Sequence, residues 1–178
     1  NIRKKYEVMK KSDVLIYSLS KKMLISLFVY YFVVLILGGI FAAIIACDLT
    51  DKMSQVQIMK RTFVLSIAVS GMSCSVQYIK RLYKACLTKR VKTSGDFIEN
   101  IGNFTYFVFR PFFAFAFVIV MIFMLLSGMF IVTGNLDYIL NIKFVYLCVV
   151  LSSFLGYSVG DLLDKFEKVS KKQIENLL

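Results

Sequence analysis

The sequence predicts an all-α integral membrane protein, with four transmembrane helices, helical extensions on the cytoplasmic side, and both termini cytoplasmic. Three observations carry that prediction. Four long runs hold no charged residue: 23–47, 62–79, 111–136 and 144–160, of 25, 18, 26 and 17 residues. Mean hydropathy is +0.73. Hydrophobic residues make up 58% of the chain, against about 45–50% in soluble domains. Finally, the basic residues alternate in abundance from one intervening segment to the next.

About 20 helical residues, rising 1.5 Å each, cross a hydrocarbon core of about 30 Å. The first and third runs suffice alone, and the other two sit on longer helical patterns. A charge or an open backbone group in hydrocarbon costs several kcal/mol, so charge-free length is what a bilayer selects. A 17-residue run also suits a buried core helix, but this chain has no soluble remainder large enough to bury it. The first run is also too long for a signal peptide, whose apolar core is usually about 7–15 residues. No separate soluble catalytic domain fits.

The net charge is +11. Seven Lys and Arg precede Met23, three lie in 48–61, seven in 80–110, one in 137–143 and four in the tail. Alternate segments therefore hold 18 on one side and 4 on the other. The positive-inside rule places both termini and the central loop in the cytoplasm. An even number of spans independently requires the termini to share a side.

The organisation follows: a basic segment over 1–22, a four-helix transmembrane domain over 23–160, and a cytoplasmic helix over 161–178. Spans are expected at about 23–47, 62–79, 111–133 and 144–160, with a basic cytoplasmic loop at 80–110.

Each element has its own reading. In 1–22, Ile2, Tyr6, Met9, Leu15, Ile16 and Leu19 lie among lysines, which predicts a helix on the membrane surface. The alternative is a solvated arm that binds a polyanion. Span one is Leu, Ile, Val and Phe with Tyr30, Tyr31 and the pair Gly38–Gly39, which permits close helix approach or a slight bend. Span two is more polar and keeps helical periodicity through Leu87, which predicts two turns beyond the membrane. Thr93-Ser94-Gly95-Asp96 breaks the helix, and Ser94 or Asp96 can cap a short helix over 97–103. Tyr106, Phe107, Phe109, Phe112 and Phe113 suit the interface belt. Arg110 precedes Pro111, which fits a first helical turn, and is expected at headgroup depth as an interface anchor. Span four carries Ser152, Gly156 and Gly160, a small-residue series for close packing. Leu155, Val159, Leu162, Phe166 and Val169 then recur as a short coiled-coil seam.

The feature that points to function is a stripe on span two. Ser66, Ser70, Ser73, Gln77, Lys80 and Lys84 are spaced 4, 3, 4, 3, 4, which puts all six on one helical face. Two readings stay open. Ser66, Ser70, Ser73 and Gln77 line a pore in an oligomer, with Lys80, Arg81 and Lys84 as a cationic vestibule favouring anions. Alternatively, the serines are small residues for helix packing, and the cations are ordinary anchors.

Other chemistry is scarce. The chain has no histidine, and no Asp, Glu, Lys or Arg lies inside a span. Cys47, Cys74, Cys86 and Cys148 form no CxxC pair and read as small buried apolar residues. Asp161, Asp164 and Glu167 read either as a solvated helix end or as a cation site. No phosphate-binding glycine loop is present. No catalysis, cofactor or metal is expected, and a coupled transporter is disfavoured because mid-membrane ionisable groups and broken helices are missing.

Size, the basic central loop, and Gly102-Asn103-Phe104-Thr105-Tyr106 leading to Arg110-Pro111 carry a resemblance. The chain resembles small four-span membrane effectors of bacterial anti-phage defence, of the Hailong channel type. Glycines often follow the Arg-Pro pair in such proteins, whereas Phe112, Phe113 and Ala114 stand here. The resemblance implies a homo-oligomeric channel or depolarising effector, tetrameric or larger, in the bacterial inner membrane. It also implies control by an anionic nucleotide or short single-stranded DNA made by a partner enzyme. Lys80, Arg81, Lys84, Lys89, Arg90 and Lys92 would receive that polyanion. The competing expectations are a non-conducting structural or anchoring subunit and a holin-like or immunity protein.

Overall fold

A computed structural model describes residues 19–50, 53–87, 97–134 and 140–175. They form helices α1 (Lys21–Cys47), α2 (Gln55–Leu87), α3 (Phe97–Val108), α4 (Arg110–Thr133) and α5 (Ile142–Glu175). No strand occurs among the described residues. Four stretches are long and apolar enough to cross a membrane: Lys21–Cys47, Gln55–Leu87, Ile101–Val132 and Ile142–Ser170. The surface segment expected before residue 19, the capping roles of Ser94 and Asp96, and the cations Lys89, Arg90 and Lys92 lie outside the described residues.

Local sequence sets the helix ends. Ser20 caps α1, its hydroxyl accepting from the Met23 amide at 3.3 Å. Asn141 does the same for α5, its side-chain oxygen accepting from the Phe144 amide at 2.9 Å. Gly134 stops α4 in the left-handed region at φ +65°, where a side chain would be strained. α2 starts at Gln55, seven residues before its charge-free run, because Lys60 and Arg61 lie near a helix end where charge is tolerated.

α2 is the centre of the bundle, packed by α1, α4 and α5. Side-chain pairings give the directions. Tyr31 stacks on Tyr78, while Asp48 pairs with Arg61 at 3.2 Å, so α1 runs antiparallel to α2. Phe123 meets Phe63, and Phe115 meets Gly71, so α4 is also antiparallel. Ser153 meets Ser73, and Asp161 meets Arg81, so α5 runs parallel to α2. One end of the bundle therefore gathers the starts of α1 and α4 with the ends of α2 and α5. Among the described residues that end holds Lys21, Lys22, Lys80, Arg81, Lys84, Arg110, Lys165 and Lys168, while Lys60, Arg61 and Lys143 lie at the other.

The core has two apolar clusters separated by a layer of small residues. At the basic end Leu19, Leu27, Tyr31, Cys74, Tyr78, Leu82 and Phe107 pack together. At the opposite end Ile58, Leu65, Val118, Ile122, Phe144, Val145 and Cys148 do so. Cys74 and Cys148 are thus core residues, whereas Cys47 and Cys86 are exposed and so depart from the small buried role expected of all four. α1 buries only Leu24, Leu27 and Tyr31, and turns Val29, Phe32, Ile36, Ile40 and Ile44 outward. Such a face is ruinous in water and costs nothing in hydrocarbon. Along α5, Val159 is buried while Phe166 and Val169 are 57% and 55% exposed, so the distal part of the expected coiled-coil seam is not closed within one chain.

Candidate functional site

The polar stripe of α2 lies inside the chain. Ser66 and Ser70 are fully buried, Gln77 is 7% exposed, and Ser73 is half-buried. The partner face belongs to α5. Ser73 Oγ and Ser153 Oγ share a hydrogen bond at 3.0 Å. A Cβ on Gly156 would come within 2.8 Å of Ser70 Cα, so α2 and α5 touch backbone to backbone. This closeness is what a small-residue series achieves in a membrane, where packing and dispersion replace the hydrophobic effect between helices.

Two hydroxyls of this seam are satisfied within their own helix: Ser70 donates to the Ile67 carbonyl at 2.9 Å and Ser152 to Cys148 at 2.6 Å. Ser75, on the opposite face of α2, likewise donates to Gly71 at 2.8 Å. Such back-bonding lets a hydroxyl enter an apolar layer at little cost. Ser66 Oγ and Gln77 Oε1 are the exceptions: both are buried with no hydrogen-bond partner. Lys80 and Lys84 stand exposed just beyond Gln77. The structure therefore brings the four expected lining residues together along one closed seam, with the two lysines at its mouth.

A second polar site lies where α3 meets α4. Phe109 interrupts the helices, but the chain continues almost straight, since the Phe109 amide donates to Thr105 and the Phe113 amide to Phe109. Pro111 has no N–H, so the carbonyl four residues before it, Phe107, loses its helical donor. The Tyr31 hydroxyl donates to that carbonyl instead, and the Tyr30 hydroxyl donates to Val108 at 3.1 Å. Tyr31 of α1 thereby replaces the backbone bond that Pro111 removes, and its neighbour Tyr30 adds a bond to the next carbonyl.

Arg110 does not reach outward as an interface anchor. Its side chain is 0% exposed. The guanidinium lies 4.0 Å from the centre of the Tyr106 ring and 5.9 Å from that of Tyr78. Tyr106 is one helical turn earlier on the same face, so the ring draws the arginine inward. Nε, Nη1 and Nη2 of Arg110 have no hydrogen-bond partner, and neither does Tyr78 Oη. Cation–π contact contributes about 0.5–2 kcal/mol, whereas burying a lone charge costs several kcal/mol. The rings alone cannot offset the desolvation of this cation.

Arg81 stands beside the cage. Its guanidinium lies 5.5 Å from the Tyr78 ring and pairs with Asp161 at 3.3 Å. Asp161 is thus neither a bare solvated end nor part of a cation site: among the described residues no His, Cys, Asp and Glu group could hold a metal ion. Tyr31, Tyr78, Tyr106 and Gly160 are the members that residue spacing misses, because each comes from a different helix or serves a different neighbour. The freed Phe107 carbonyl, implied by Pro111, is the signal that could have found the tyrosines.

Between α1, α2 and α4 lies a cavity of about 320 Å³, lined by Val34, Leu37, Gly38, Phe41, Val64, Ile67, Ala68, Gly71 and Phe115. Its wall has no polar side chain, so it suits a hydrocarbon chain and not an ion. No family model matches this chain, and neither does any curated protein or solved structure, so geometry alone carries the functional reading.

Proposed function

We propose that this chain is a multi-pass membrane effector that conducts ions as a homo-oligomer and responds to an anionic ligand at its basic end. The observation that carries the reading is the α2–α5 seam. It is lined by hydroxyls from both helices, holds the unpartnered Ser66 Oγ and Gln77 Oε1, and ends at Lys80, Arg81 and Lys84. Unpartnered polar atoms in an apolar layer call for water. In this conformation the seam is shut by the Ser73–Ser153 contact and by Gly156 on Ser70. Parting α2 from α5 would open a hydroxyl-lined path below a cationic mouth. The orientation, with that mouth in the cytoplasm, and a place in the bacterial inner membrane under control of an oligonucleotide from a partner enzyme, belong to the same proposal.

The test is a disulfide across the seam. Ser73→Cys with Ser153→Cys, in a background with Cys47 and Cys86 replaced by serine, should conduct in lipid bilayers when reduced and close when oxidised. Lys80→Glu with Lys84→Glu should shift ion selectivity toward cations. Flux that ignores the oxidation state removes the seam as the path.

A second reading has its own support. Ser70 and Ser73 are already spent on contacts within one chain, as in a non-conducting anchoring subunit. Absence of flux from the reduced protein, with Ser73→Leu disturbing assembly, would favour that reading.

A further inference from the structure

The strongest unexplained feature is the Arg110 guanidinium, buried, charged and without a hydrogen-bond partner on any of its three nitrogens. Two further polar groups, the Tyr78 hydroxyl and the Arg81 guanidinium, converge with it. The position that a Cβ of Gly160 would take lies 2.8 Å from Tyr78 Oη, 3.3 Å from Arg110 Nη1 and 3.5 Å from Arg81 Nη1. These groups come from α2 and α4, and they meet against a stretch of α5 that carries no side chain. The adjacent carboxylate, Asp161, is engaged by Arg81 at 3.3 Å.

We propose that Arg110, Arg81 and Tyr78 form a binding site for a phosphate group opposite Gly160. A guanidinium presents its donors as a rigid fork that matches two phosphate oxygens at once. A phosphate carries further oxygens at tetrahedral angles, able to take Arg81 and the Tyr78 hydroxyl from other directions. The bound charge would supply the compensation that the Tyr106 and Tyr78 rings do not. No solvent reaches Arg110 in this conformation, and Tyr78 and Arg110 pack directly on the bare backbone of Gly160, so the loaded state requires α5 to draw back from α2 and α4 at that glycine.

The phosphate has two sources: the headgroup of an anionic lipid, or a soluble phosphoester reaching the basic end. This site rests on the anionic-ligand half of the proposed function, with which it shares Arg81, and not on conduction through the seam. Its test reads binding and not flux, so the site and the conducting path can each fail without the other.

The test uses the full chain in an uncharged maltoside detergent, washed free of lipid, with unfolding followed by circular dichroism. One arm adds inorganic phosphate against sodium chloride at equal ionic strength. The other adds phosphatidylglycerol against the same mole fraction of diacylglycerol. Ligands that bind only the folded state raise its melting temperature, and a rise of several degrees is expected in one arm. A rise with phosphatidylglycerol assigns the lipid source, and a rise with phosphate assigns the soluble one. Arg110→Gln should abolish the rise, while Lys60→Gln, at the opposite end, should keep it. Should Arg110→Gln fail to fold, Gly160→Ala decides, since its new methyl group occupies the convergence point and should cut the rise by at least half. No rise in either arm overturns the proposal. So does a rise that survives unchanged in Arg110→Gln, or in Gly160→Ala.

Discussion

The seam between α2 and α5 and the cage around Arg110 both bury polar groups in an apolar bundle, but they satisfy them differently. In the seam, Ser70 and Ser152 bond carbonyls of their own helices, and Ser73 and Ser153 share a hydrogen bond. The neutral Ser66 Oγ and Gln77 Oε1 are what remain without a partner. In the cage, Tyr31 serves the Phe107 carbonyl that Pro111 frees and Tyr30 the carbonyl after it, yet Arg110 and Tyr78 Oη are left without a hydrogen-bond partner. Hydroxyl polarity can be absorbed locally because a serine reaches its own backbone. Guanidinium charge cannot, because no backbone group neutralises a cation. The seam thus closes on itself apart from two neutral atoms, whereas the cage holds a charge that its own residues do not neutralise.

That contrast can be broken at its tightest point. Gly156→Leu drives a side chain into the Ser70 backbone, so α2 and α5 must separate. Overpacking of this kind typically costs about 1–3 kcal/mol and sometimes more, and contact with backbone puts this case at the upper end. Detergent-titrated unfolding should show it as the largest loss among these variants, and a neutral result would mean that the helices do not touch there.

Replacing the lone cation tests the other side. Arg110→Met keeps the length and removes the charge. In uncharged detergent without phosphate it should be neutral, or stabilising by about 1–4 kcal/mol. A large loss under those conditions would mean that the guanidinium already has its counter-charge.

The tyrosine bonds to the carbonyls beside Pro111 give an intermediate effect. Tyr31→Phe leaves the Phe107 carbonyl bare and buried, at a cost of about 1–3 kcal/mol. Tyr30→Phe should cost less, because its bond to Val108 is only part-buried. Equal losses would show that the two hydroxyls do not divide the work as their burial implies.

Smallest of all is the inter-helix hydroxyl pair. A double-mutant cycle on Ser73→Ala and Ser153→Ala should give a coupling near 0.6 kcal/mol, about the average for such bonds in a membrane bundle. A coupling of several kcal/mol would make the seam a fixed structural bond and weaken it as a gate.

Much of the fold was readable from composition and spacing. Charge-free length marked the four apolar helices, and the spacing of Ser66, Ser70, Ser73 and Gln77 put them on one face of α2. Neither could say what that face meets. Gly156 and Ser153 answer that, and their small size is meaningful only once α5 lies parallel to α2. Arg110-Pro111 was legible as a helix start, but the direction of the arginine was not. A headgroup anchor and a buried cation share the same dipeptide, and the difference lies in Tyr106, Tyr78 and the bare backbone at Gly160.

By itself the sequence determined the number of apolar helices and the end where basic residues collect. Both follow from properties that add residue by residue: transfer free energy along a run, and charge along a loop. Only the tertiary structure decided that α2 is central, that its serines face α5, and that Arg110 turns inward. Those outcomes depend on which side chains from distant positions occupy the same few ångströms, and no sum along the chain contains that information.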